Sequence, residues 1–148
     1  MTTTIIAVLG TLAGALLSGV LGHLSQRAQL KAQADHTRRT ESLAAVTDLV
    51  AALADHRRAM WVREDARLRG EDWGQARAES HATRSAITAP LLRVQMLLPT
   101  LSQAAQDAAR ATYDMRGRDH STALAAAREK AIERTDAFVA AAGAALSA

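Results

Sequence analysis

Apolar and polar positions divide this chain into one unbroken apolar block followed by amphipathic stretches of helical period. Residues 5–24 contain no charge, and their polarity is confined to Thr11, Ser18 and His23. About 20 such residues cross the roughly 30 Å of a bilayer interior as a helix, so residues 1–24 are expected to form a transmembrane span. Within it Gly10, Gly14, Ser18 and Gly22 recur every fourth residue, a glycine-zipper spacing, and Ala7, Thr11, Ala15 and Gly19 form a second small ridge beside the first. Small ridges let backbones approach closely, so Gly10, Thr11, Gly14, Ala15, Ser18, Gly19 and Gly22 are the expected oligomer interface. Two such ridges offer a different face to each of two neighbours, as a closed ring requires. Residues 1–4 lack the Lys or Arg of a cleaved leader, and the apolar run exceeds the usual leader core. A helix that is apolar all round also suits the centre of a soluble bundle.

Beyond the block, no Pro or Gly occurs between Leu24 and Arg69, so one helix can continue for about 45 residues, nearly 70 Å at 1.5 Å per residue. Leu43, Val46, Val50, Leu53, Arg57 and Met60 alternate steps of three and four, which predicts a coiled-coil seam from residue 43. Gly70 ends this helix. A second is expected over residues 71–98, with Trp73, Ala76, Ser80, Thr83, Ile87, Leu91, Val94 and Leu98 on one stripe. The stripe stays in phase past Pro90, which predicts a kink or a restart there and no chain reversal. After Pro99, Thr100 or Ser102 is placed to cap a third helix running to about Arg116, with Leu101, Ala104, Ala105, Ala108, Ala111 and Met115 inward. Residues 117–120 read as a turn. Ser121 opens a fourth helix, with Leu124, Ala131, Ile132, Phe138 and Leu146 inward. The expected fold is all-α: a transmembrane span at 1–24, a basic juxtamembrane helical stalk at 25–42, and an antiparallel helical bundle at 43–148.

Composition sharpens this reading. The chain is roughly a quarter alanine, with 8 Gly, 2 Pro and 1 Phe, which favours helix and leaves little for strands. Alanine buries little area, so at about 25 cal/mol per Å² an isolated bundle is only marginally stable and gains from neighbouring copies. The absence of Cys rules out disulfides, thiolate metal sites and a cysteine nucleophile. The net charge of +3 is local: residues 1–40 carry Arg27, Lys31, Arg38 and Arg39 against Asp35, whereas the remainder balances. Positive charge beside a span keeps that side in the cytoplasm, so the N-terminus is expected outside and the bundle inside the inner membrane. Arg27, Lys31, Arg38 and Arg39 are the expected contacts to lipid or nucleic-acid phosphate.

No catalytic constellation emerges. Asp35–His36, Asp55–His56 and Asp119–His120 are sequence neighbours, and neighbours on a helix point about 100° apart, so they neither grip one ion nor orient one another. There is no HExxH, phosphate loop or nucleophile elbow, so no enzyme, metal or cofactor is expected. Two denser segments, residues 55–61 and 80–85, come level if the first two helices form a hairpin about Gly70. This pairing sets Glu79 opposite Arg57 or Arg58 and His81 near Trp61. Register-fixing polar pairs are one reading of it. The other is a partner patch of Arg57, Arg58, Trp61, His81 and Arg84.

The order of an N-terminal apolar span, then Ala-Asp-His-Arg-Arg-Ala-Met-Trp at 54–61, then Ser-His-Ala-Thr-Arg-Ser-Ala-Ile-Thr-Ala-Pro-Leu-Leu-Arg-Val at 80–94 resembles the KilB-type proteins of conjugative elements in filamentous actinomycetes. That resemblance covers most of the chain. It implies a role in spreading transferred DNA between hyphal compartments, alongside an FtsK-like DNA translocase, and it carries over no functional residues. The expected function is that of a non-enzymatic membrane scaffold or channel component whose partners are itself, membrane lipids and such a translocase. A membrane-tethered DNA-binding accessory factor and a small membrane-acting toxin are the alternatives.

Overall fold

The computed structural model describes the backbone of residues 2–147 and the side chains of residues 26–147. Four α-helices make up nearly all of it: α1 (Thr2–Arg69), α2 (Gly74–Leu97), α3 (Ser102–Tyr113) and α4 (Ser121–Ser147), with a single 3-10 turn at Pro99–Leu101. There are two compact units, Met1–Arg38 and Arg39–Ala148. The side chains of residues 26–38 in the first unit are exposed. No helix among the described residues is long and apolar enough to cross a membrane. The expected span at 1–24 forms part of α1 from Thr2 onward, but its interface of Gly10, Thr11, Gly14, Ala15, Ser18, Gly19 and Gly22 lies outside the residues whose side chains are described.

The second unit is an up-down-up-down bundle. Asp48 and Arg93 pair at 2.9 Å, His56 meets Thr83 at 3.0 Å and Arg63 meets Ser80 at 3.1 Å, which sets α2 antiparallel to α1. The seam of α1 differs from the expected one. Val46, Leu53 and Met60 are buried as predicted, but the alternate positions are Ser42, Leu49, His56 and Arg63 in place of Leu43, Val50 and Arg57. These residues also step by four and three, so both sets satisfy the heptad. Leu43 is instead 57% exposed. The seam goes where three neighbouring helices pack, and it admits polar side chains that find partners there.

One apolar cluster joins Val46, Leu49 and Leu53 of α1 to Ile87, Val94, Leu101, Ala105, Ala109 and Phe138, and a second joins Met60 to Ala111, Met115, Leu124 and Ala131. Between these levels on their own helices stand His56, Thr112 and Thr135, all buried. The two threonines satisfy their hydroxyls one turn back, on the carbonyls of Ala108 and Ala131. The inward stripes expected for α2 and α3 hold, and on α4 Ile132 and Leu146 are half-buried while Thr135 and Ala142 join the buried set.

The connections follow backbone chemistry. Gly70 at φ 72° ends α1, with the Gly70 N–H on the Arg67 carbonyl and the Glu71 N–H on the Ala66 carbonyl, the paired bonds of a Schellman motif. Asp72 accepts the Gly74 N–H at 2.9 Å, so α2 starts at Gly74, three residues later than the first polar residue after Gly70 suggests. Pro90 sits inside α2, and the chain does not reverse there. Neither Thr100 nor Ser102 caps α3. Leu101 occupies the N-cap without a side-chain bond, because the 3-10 turn led by Pro99 feeds directly into the helix. α3 closes at Tyr113, and Gly117 at φ 73° turns the chain into α4.

Candidate functional site

Toward α4, the residues Ala54, Arg57, Arg58 and Trp61 of α1 line a cavity of about 460 Å³ together with Arg128. The Arg128 guanidinium lies 5.3 Å over the Trp61 ring and 3.7 Å from Glu129. Arg58 pairs with Asp55 one turn away. Burial, then the neighbouring Arg128, lowers the pKa of Arg57, and one terminal nitrogen of Arg57 is buried without a hydrogen-bond partner. Three of the five residues expected as a partner patch therefore share one site.

The other two do not. Arg84 lies 4.0 Å over the Tyr113 ring and belongs to the α2–α3 contact, while His81 is exposed on α2 and is not among the residues lining the cavities at Trp61. The hairpin register is as expected, since Thr83 and Ser80 come level with His56 and Arg63. The polar pairs form on the inward face of α1, however, and Glu79 bonds neither Arg57 nor Arg58. Helical residues turn by 100° each, so the face that α2 gives to α1 near Trp61 is Gln75, Ala76 and Glu79, and His81 and Arg84 rotate off it. Those three residues line a second cavity of about 410 Å³ with Trp61, Val62, Asp65, Arg69, Glu71 and Asp72. Trp61 thus separates a cavity lined by three arginines from one lined by four carboxylates and a single arginine.

Beneath this surface lies a buried ionic knot that pattern reading did not single out. Glu64, 1% exposed, accepts from Arg67 Nε at 2.8 Å and from the Gly117 N–H at 3.0 Å. Arg67 also donates to the Arg118 carbonyl, so α1 holds the α3–α4 turn through both side chains. Arg63 Nε stands 3.5 Å from the second Glu64 oxygen, an ion pair without a hydrogen bond, and Arg63 donates to Ser80 at 3.1 Å. Arg63 and Arg77 both lie over the Trp73 ring, at 5.4 and 5.6 Å. The one signal available in sequence was an Arg-Glu pair placed where the heptad continues inward.

His56 is buried against Tyr113 in edge contact, with ring centroids 5.6 Å apart. Thr83 Oγ1 lies 3.0 Å from both the Glu79 carbonyl and His56 Nδ1, and His56 Nε2 is buried without a partner. Burial, then the charges of Arg84 and Arg63, lowers its pKa from 6.5 to about 4. Neutral and sealed, it acts as a core residue. Asp55, beside it in sequence, faces outward to Arg58, as the 100° rule requires.

Arg27, Lys31, Arg38 and Arg39 are all exposed. Among the described residues no three His, Asp or Glu side chains gather as metal ligands do. The chemistry on offer is recognition: guanidinium donors, an aromatic face and aliphatic stems beside a carboxylate-lined groove.

The KilB plasmid transfer protein family matches residues 43–146, a stretch that contains both cavities and the ionic knot. Protein KilB of Streptomyces lividans is 52% identical over 145 residues, which is 96% of this chain and 96% of that one. No solved structure matches. Identity at that level across nearly all of both chains is descent, not convergence on an alanine-rich helical composition, and the chain belongs to the KilB family of plasmid transfer proteins.

Proposed function

We propose that this protein works without catalysis in the spread of plasmid DNA between hyphal compartments, as a self-assembling single-pass protein of the cytoplasmic membrane that scaffolds or lines the route. The observation that carries this reading is the 52% identity to Protein KilB of Streptomyces lividans over 96% of both chains. In this proposal the span and its small-residue ridges bring copies together, with the N-terminus outside and the bundle in the cytoplasm. Arg27, Lys31, Arg38 and Arg39 meet anionic head groups at about 1 kcal/mol each. The Arg57–Trp61 face receives a protein of the transfer machinery, an FtsK-like translocase being the partner that family resemblance suggests.

Deletion of the gene from a plasmid-bearing strain tests the proposal. First transfer into a recipient is expected to persist while spread beyond the entry point is lost, and Gly14→Leu is expected to fail to restore spread and to lose the detergent-resistant multimer. Undiminished spread after deletion refutes the role, and a multimer that survives Gly14→Leu refutes the ridge contact. The exposed cations favour a second reading, a membrane-tethered DNA-binding factor. It requires that neutralising those four residues flatten the dependence of DNA affinity on salt, by a slope of about 0.9 for each phosphate that no longer meets a cation. An unchanged slope removes it.

A further inference from the structure

One ridge of α1 faces outward along the whole second half of the helix, and its centre carries Asp55, Arg58, Val62, Asp65 and Arg69 at steps of three and four. All are open to solvent: the side chains of Asp55, Arg58, Asp65 and Arg69 are 56%, 75%, 36% and 58% exposed, and Val62 is 51% exposed. Read backward from Val62, each acid falls on a base or within one residue of it. Position 55 exchanges with 69 and 62 with itself, while 58 falls one residue, about 1.5 Å along the helix, past 65. The arginine-lined cavity lies on the α4 side of Trp61 toward the start of the helix, and the carboxylate-lined cavity lies on the α2 side toward its end. The two cavities flank the ridge on opposite sides.

We propose that this face docks against the same face of a second copy, the two α1 helices antiparallel and crossing at Val62. Arg58 of each copy then faces Asp65 of the other and Asp55 faces Arg69, with Trp61 of both copies near the axis. A ridge that is its own complement under a two-fold is what an isologous contact requires. Parallel pairing sets like charges together and is disfavoured. Forming the contact gives up little, because the pairs Arg58–Asp55 and Arg69–Asp65 are exposed, and exposed pairs of this kind are weak. What replaces them is a chain of alternating charges shielded around a tryptophan and an apolar centre, the usual composition of an interface hot spot. The inference deepens the self-assembly of the proposed function and rests on that reading.

The chain has no cysteine, so a single introduced thiol reports the contact. In the detergent-solubilised full-length protein, Val62→Cys is expected to form a disulfide-linked dimer under mild oxidation, while Val139→Cys, on the exposed face of α4, is not. Adding Arg58→Glu or Asp65→Arg to Val62→Cys is expected to reduce the linked species at least tenfold in each protein alone. Mixing those two proteins restores it as a heterodimer, since each reversed charge then meets its opposite, and this recovery also shows that both variants are folded. No linkage above the Val139→Cys level overturns the docking, as does linkage indifferent to the charge reversals. A multimer that depends on Gly14 but gives no Val62 linkage defeats this contact and leaves the proposed function standing, whereas protein that is monomeric throughout defeats both.

Discussion

Removing the Glu64 carboxylate tests whether the buried knot holds the bundle together. In Glu64→Ala the Gly117 N–H and Arg67 Nε lose their acceptor, and Arg63, 7% exposed, loses the carboxylate beside it. Stripping one partner from a buried pair costs about 3–5 kcal/mol, chiefly because the remaining charge is stranded. Arg67 is 32% exposed at its side chain and recovers some water, which places the expected loss nearer 3 than 5 kcal/mol on that scale. Against a typical reserve of about 5–15 kcal/mol this is a large fraction. It corresponds to a fall of roughly 10–20 °C in the bundle's melting temperature, at a few degrees per kcal/mol for a unit of this size. Thermal and urea melts followed by circular dichroism at 222 nm measure it. The double variant Arg63→Met with Glu64→Leu should recover much of the loss, because no charge remains to strand. A loss below about 1 kcal/mol for Glu64→Ala, or a double variant no better than the single, refutes the reasoning.

His56 predicts a pH dependence. The unfolded chain takes up its proton near 6.5 and the folded chain only near 4, so the unfolded state binds more protons in between and stability falls as pH drops through that window. The loss amounts to roughly 2–3 kcal/mol by pH 4, and urea melts of wild type against His56→Gln should show that slope only in the wild type. Phe138→Ala, which empties a fully buried site, is expected to cost about 3–5 kcal/mol in the same melts, against less than about 0.5 for Val139→Ala next to it. Gly70→Ala forces a side chain to φ 72° and should cost about 1 kcal/mol, although nothing lies within 4 Å of the added carbon.

How far the fold is legible in sequence depends on which physics places each residue. Gly70 and Gly117 mark element ends through local backbone chemistry, and each turns the chain where its residue type implies. The α2 stripe is readable despite Ser80 and Thr83, because Ile87 and Val94 fix its phase. On α1 two heptad frames one residue apart compete, and hydrophobicity favours Leu43 and Val50. The frame actually used holds Ser42, His56 and Arg63, whose burial is tolerable only through partners on other helices that no local pattern reveals. The candidate site divides along the same line. Arg57, Arg58 and Trp61 lie within two turns of one helix and are found together, whereas Arg128 joins them only through the packing of α4.

Helix α3 has a consequence of a different kind. Ala105, Ala108, Ala109 and Ala111 turn inward there and are already cut back to a single methyl group. Trimming one to glycine costs about 1 kcal/mol of helix stability, while any growth pushes the flanking rods apart. The segment therefore works as a spacer of minimum gauge, closed to drift in both directions: bulk does not fit, and glycine loosens the rod itself.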